Sequence, residues 1–138
     1  MSQSVEVANK YLVEHQNAMK GEVLDFAKQL NANAISFSSD QEKISKFLNF
    51  YISKNNLTDA VLIGTSRNVL ARSQFAFEIN YLDLPNRYYN LANDGKIIIA
   101  NDKDSNKVKA FIKLDQFVDA YLLTSRSVSY THLTLPTK

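Results

Sequence analysis

The sequence predicts an α+β fold: a long N-terminal helix and a second helix packed on a five- to six-stranded, mainly antiparallel sheet. Three observations carry this expectation. Val5, Leu12, Met19 and Phe26 recur every seven residues, with Ala8, Val23 and Leu30 in adjacent positions, which is the stripe of a helix with one apolar side. Val108, Ala110, Ile112 and Leu114 alternate with Lys109, Phe111 and Lys113, the period-two pattern of a strand with one face on a core. Both long helical patterns precede every strand pattern, so the two kinds of element segregate.

A chain of 138 residues is one domain by length. Its 45% hydrophobic and 22% charged residues are values of a globular protein. A net charge of +2, on lysines scattered without a stripe, argues against nucleic acid and anionic membrane as partners. There is no cysteine, which excludes disulfides, a thiolate nucleophile and Cys-ligated metal. No apolar run approaches the ~20 residues of a membrane span, and no signal-peptide pattern precedes the first helix. The chain by itself is expected to be soluble.

The first helix is expected over residues 3 to about 31, with Glu6, Lys10, Glu14, Lys20, Asp25 and Lys28 for its wet side. About 28 residues at 1.5 Å each give ~42 Å, longer than an ordinary domain helix. Gly21 is a soft spot in it, costing about 1 kcal/mol against Ala. The stripe serves either a dimer seam and signalling stalk or an ordinary cover for a core. Asn31–Ser38 reads as a polar connection. Ser39 and Glu42 offer a capping box for a second helix, in which Ile44, Phe47, Leu48 and Tyr51 share a face until Asn55–Asn56.

Asp59–Thr65 is a short buried strand, Ser66–Arg67–Asn68 a tight turn, and Val69–Arg72 its hairpin partner. Phe75, Phe77 and Ile79 alternate with polar neighbours and predict a third strand. Pro85 suits the first turn of a short helix carrying Tyr88, Tyr89 and Leu91, and Gly95 suits a left-handed stop. Lys96–Ala100 is a strand, 101–106 a polar turn, and Ala120–Ser125, apolar on both faces, a strand in mid-sheet. Val128–Lys138 changes character: it is Thr-rich and uncharged before its final Lys. It resembles the in-frame translation of a sequencing-library adapter. The native domain is thus expected over residues 1–127, as a fragment of a larger protein, with 128–138 a non-native tail.

No catalytic constellation is present. Outside the tail, His15 is the sole histidine and has no second ligand in evidence; it reads as a structural residue. The three glycines lie far apart and form no phosphate loop. Asp102, Asp104 and Asn106 imitate half a calcium loop, yet Lys107 and Lys113 occupy the positions needing Gly and Glu, so no metal is expected. Arg72, Tyr81, Arg87 and Tyr88 mix guanidinium groups with rigid phenols, as a small-ligand pocket requires. The same residues, with Tyr89, suit the rim of a sheet.

Three stretches carry a resemblance: SVEVANKYLVEHQNAM, DAVLIGTSRNVLARS, and GKIIIANDKDSNKVKAFIKLDQFVDAYLLTSR. Together they resemble the extracytoplasmic N-terminal domain of NtrY-type nitrogen-regulation sensor histidine kinases, over nearly all of residues 3–126. Val69–Ser73 and Leu114–Arg126 are the most specific parts, with departures at Gln116, Val118, Leu123, Thr124 and Ser125. The resemblance implies a Cache/PAS-like domain facing the periplasm between two membrane helices of the parent. It also implies a parent kinase that uses ATP and Mg, with HAMP, PAS and kinase modules and a paired response regulator. Neither catalysis nor a cofactor is expected of this chain. A homodimer through Val5, Leu12, Met19 and Phe26 is expected, with a small ligand of unknown kind. The alternative is a free-standing soluble small-molecule-binding or adaptor domain of similar fold.

Overall fold

The computed structural model describes residues 2–38, 40–74, 84–102 and 106–128. Helix α1 spans Ser2–Ala32, a short α2 follows at Ala34–Phe37, and α3 spans Gln41–Lys54. The strands are β1 (Asp59–Ile63), β2 (Val69–Arg72), β3 (Ile98–Asp102), β4 (Lys107–Lys113) and β5 (Tyr121–Ser127), with α4 at Asn86–Asn93. The sheet order is β2-β1-β5-β4-β3, and all neighbours are antiparallel. The expected α+β class and the central place of the last strand are both observed.

Helix α1 buries Met19, Val23, Phe26, Ala27 and Leu30 at helical spacing against β4 and its neighbours. Thirty-one residues give about 46 Å, roughly twice the length of the seven-residue β4. Met19 is the first of its described side chains to be buried; Gln16, nearer the start, reaches the Asn101 side chain at 3.1 Å. Helix α3 lies beside α1 over β1 and β2, burying Ile44, Leu48 and Tyr51. The Tyr51 ring stacks on Phe26 at 4.0 Å, and Phe47 tilts against both. With Leu62, Ala60, Val108, Ala110, Leu114 and Leu122 from the sheet, these residues form the larger of two cores.

The second core lies on the opposite face. Val61, Ile63, Phe111, Tyr121 and Leu123 point there and are covered by Leu84 and by Tyr89 and Ala92 of α4. The sequence placed Phe111 with two lysines on a wet face. Instead the ring stacks on Tyr121 at 5.2 Å, beneath α4, so the sheet is covered on both sides near its centre.

Several boundaries differ from expectation for local reasons. The expected connection at Asn31–Ser38 contains α2, which forms because Phe37 is drawn into the core while Ser38 turns left-handed to end it. The cap of α3 is Asp40, whose carboxylate accepts from Lys43 N–H at 3.1 Å; Ser39 lies outside the described residues. Pro85 stands just outside α4 in an extended conformation. At the other end Lys96 N–H bonds Leu91 C=O and Gly95 N–H bonds Ala92 C=O, with Gly95 at φ 84°. This Schellman closure takes Lys96 out of β3, which therefore starts at Ile98. The strand expected at 75–79 lies outside the described residues, and the described sheet has five strands. Val128, placed at the start of the tail, is buried and donates to Asn106 C=O at 2.8 Å; residues 129–138 lie outside the description.

Candidate functional site

The β1–β2 hairpin turn, one face of α4 and the start of β5 border an open polar cavity of about 340 Å³. It is lined by Thr65 and Arg67 of the turn, Asn86, Tyr89, Asn90 and Asn93 of α4, and Tyr121 at the start of β5. The α4 residues stand at i, i+3, i+4 and i+7, so one turn-by-turn stripe supplies four lining side chains.

The turn is built to bring Arg67 inward. Gly64 N–H bonds Asn68 C=O and Arg67 N–H bonds Gly64 C=O, both at 2.9 Å, closing the loop. A side chain at Gly64 would stand 2.6 Å from the Asn68 amide oxygen, so that amide would have to turn aside to admit one. Arg67 sits at φ 64°, a left-handed conformation that costs a non-glycine residue about 1–2 kcal/mol. Its guanidinium lies 4.5 Å from the centre of the Tyr89 ring. It donates to Leu84 C=O at 3.5 Å and to the Asn86 side-chain oxygen.

Beneath it the aromatic rings form a fixed floor. Tyr89 meets Phe111 and Tyr121 edge-on, each at 5.0 Å. Tyr121 donates its hydroxyl proton to Asn93 Oδ1 at 2.7 Å. Tyr89 is only 7% exposed, and its hydroxyl has no hydrogen-bond partner among the described residues. Burial pushes the Tyr89 phenol above its ordinary range, against the opposing pull of Arg67. Asn86 and Asn93 both spend their amide oxygens as acceptors, which leaves mainly N–H to offer. Among the described residues the lining thus has one cation, no carboxylate and a surplus of donors.

A second cavity, about 560 Å³ and largely apolar, opens on the other face of the sheet between α2, the start of α3, and residues 116–120. Ile35 and Val118 stand at its mouth, 94% and 103% exposed. No metal-binding cluster of three His, Cys, Asp or Glu occurs among the described residues, and no described helix is long and apolar enough to cross a membrane.

Of the residues singled out from sequence, Arg72, Arg87 and Tyr88 line neither cavity. Arg72 ends β2, the outermost of the described strands on that side, and is exposed. Arg87 is exposed on α4, with its guanidinium 5.8 Å from the Tyr88 ring, and Tyr88 is half-buried against Phe111. Tyr81 lies outside the described residues. The structure brings Arg87 and Tyr88 together, but it is their neighbour Tyr89, with Arg67, that faces the polar cavity. The missed signal was the Asn86, Tyr89, Asn90, Asn93 stripe. On the long helix, Met19 and Phe26 are at most 1% exposed and are taken up by the chain's own core, so they are withdrawn from any seam. The side chains of Val5 and Leu12 lie outside the described residues.

Comparison with known proteins gives one consistent relationship. The family model described as the NtrY N-terminal region matches residues 1–136. A putative sensor histidine kinase NtrY-like of Rickettsia conorii is 28% identical over 129 residues, 93% of this chain and 21% of the relative. Its counterpart in Rickettsia felis is likewise 28% identical over the same shares. The nitrogen regulation protein NtrY of Azorhizobium caulinodans is 23% identical over 128 residues, 93% of this chain and 17% of that protein. The chain therefore spans about a fifth of the length of these relatives.

Proposed function

Because this chain belongs to the NtrY N-terminal region family, we propose that it is the periplasm-facing, signal-sensing domain of a membrane-bound two-component sensor histidine kinase. It is non-catalytic, Cache/PAS-like in architecture, and relays a stimulus along α1 to a kinase elsewhere in the parent. The parent would use ATP and Mg and pass its phosphoryl group to a response regulator of the nitrogen-regulation type.

The observation that supports the relay is the way α1 is divided. Its second half is locked to the sheet by Met19, Val23, Phe26 and Leu30, while the helix extends a further seventeen residues or so toward its start. A rigid element fixed at one end to a ligand-bearing sheet transmits a small displacement along its length. A homodimer through the earlier part of the stripe, at Val5 and Leu12, would supply the second arrangement such a relay needs.

The absence of cysteine makes a direct test simple. Val13 is half exposed on α1, and V13C placed in the parent protein gives one reactive thiol in this domain. A membrane-impermeant maleimide should label it in intact cells after outer-membrane permeabilisation, and an oxidant should cross-link two copies. Labelling only after complete lysis would refute the periplasmic placement and favour a free-standing binding or adaptor domain.

A further inference from the structure

We infer that the polar cavity under α4 is a binding site for a small organic carboxylate. The inference rests on the sensing role proposed above and deepens it by giving the stimulus a chemical class.

Three features of the cavity lead there. Arg67 carries the lone charge among the described lining residues, and its partners there are two neutral oxygens, Leu84 C=O and the Asn86 side chain. A guanidinium has five N–H donors in a planar fork, so two such bonds leave it able to take a carboxylate. Tyr89 supplies the second, independent feature: a hydroxyl on a side chain more than nine-tenths buried, lining the cavity and without a partner among the described residues. Leaving such a group unpaired is costly, and a ligand oxygen would satisfy it. The third feature is the amide row Asn86, Asn90 and Asn93, two of whose oxygens are already engaged.

Size and floor choose among anions. A volume of about 340 Å³ is roughly ten times the share of one water molecule in the liquid. A bare inorganic oxyanion would fill only part of it. The Tyr89 and Tyr121 rings offer an apolar wall for a short carbon skeleton, while Arg67, Tyr89 and the amides take its oxygens. The Asp119 carboxylate accepts from the backbone N–H of Thr65 at 2.9 Å and lines the other cavity.

The test uses the whole chain with acetate, succinate and benzoate as probes of increasing size, acetamide and succinamide as neutral matches, and phosphate as the inorganic anion. Thermal unfolding and titration calorimetry read binding. At least one carboxylate should raise the melting temperature by roughly 8–11 °C at about a hundred times its Kd, and the neutral amides should leave it unchanged. Y89F should melt at or above the unliganded wild type yet bind about 10-fold more weakly. R67Q should lose about 100-fold and R67K should fall between, while R87Q binds as wild type. No shift with any carboxylate, an equal shift with the amides, a preference for phosphate, or unaltered binding by Y89F would each overturn the site. The sensing role fails separately: a chain that binds the carboxylate while the parent kinase's autophosphorylation ignores it keeps the site and loses the sensor.

Discussion

Arg126, near the end of the central strand, forms an ion pair with Glu22 in the middle of the long helix, its Nη2 standing 2.6 Å from Oε1. The same guanidinium donates to the carbonyls of Asn55 at 2.8 Å and Asn56 at 3.2 Å, where α3 ends. One side chain thus joins α1, the end of α3 and β5. Both partners are largely shielded, at 13% and 26% side-chain exposure. We expect R126M to cost about 2–3 kcal/mol in urea unfolding, since it strands two carbonyls and a carboxylate. E22Q should cost less than half as much. A double-mutant cycle that returned no coupling would show the pair to be incidental.

Tyr51 gives the protein an alkaline limit. Its hydroxyl donates to Asp25 Oδ2 at 2.6 Å and to Glu22 C=O at 3.2 Å. Burial first, then the Asp25 hydrogen bond, push its phenol well above the ordinary value of 10.0. The folded protein therefore holds this proton more tightly than the unfolded chain. Its contribution is complete below pH 10 and declines as pH rises beyond it. Urea midpoints measured from pH 8 to 11 should fall over the upper part of that range. Y51F should reduce the slope without abolishing it, because the Tyr89 phenol is raised as well.

A buried carboxylate spans three strands. Asp59 is 3% exposed, accepts from the Ser125 hydroxyl, and lies 3.3 Å from Lys107 Nζ. K107M should destabilise by about 3 kcal/mol, because it leaves a buried charge with one neutral partner. Combining it with D59N should recover a good part of the loss in the same denaturation assay. If the single variant were as stable as wild type, the carboxylate would have to be compensated elsewhere.

The α4 closure makes a local prediction. G95A meets no atom within 4 Å but imposes a side chain at φ 84°, for about 1 kcal/mol of strain. Melting should drop by a few degrees. Hydrogen exchange should quicken at Gly95 and Lys96, whose amides close the helix, and not in β1.

What was legible in the sequence was what a single periodicity records. Ile44, Leu48 and Tyr51 declared α3, and the Val108–Leu114 alternation declared β4, because each buries one face on one core. Phe111 was misread for the same reason: a period of two shows which residues share a face, and a second core on the opposite face adds only one aromatic to it. The α2 turn stayed hidden because a single buried side chain, Phe37, makes it. Arg67 was hidden more deeply. Its inward aim comes from a left-handed backbone that turn statistics reserve for Gly or Asn, so no local rule points to an arginine there. Arg87 and Tyr88 lie on the same helix as Tyr89 but outside the described lining of the polar cavity.

The central strand is also the last of the described strands to be made. β5 pairs with both β1 and β4, so a growing chain that has reached residue 120 owns two separate hairpins, β1–β2 and β3–β4, each marginal alone. Until Tyr121–Ser127 leaves the ribosome, β1 and β4 each expose an unpaired, apolar edge, open to chaperones, proteases and other nascent chains. The described sheet can therefore close only after those seven residues have been made.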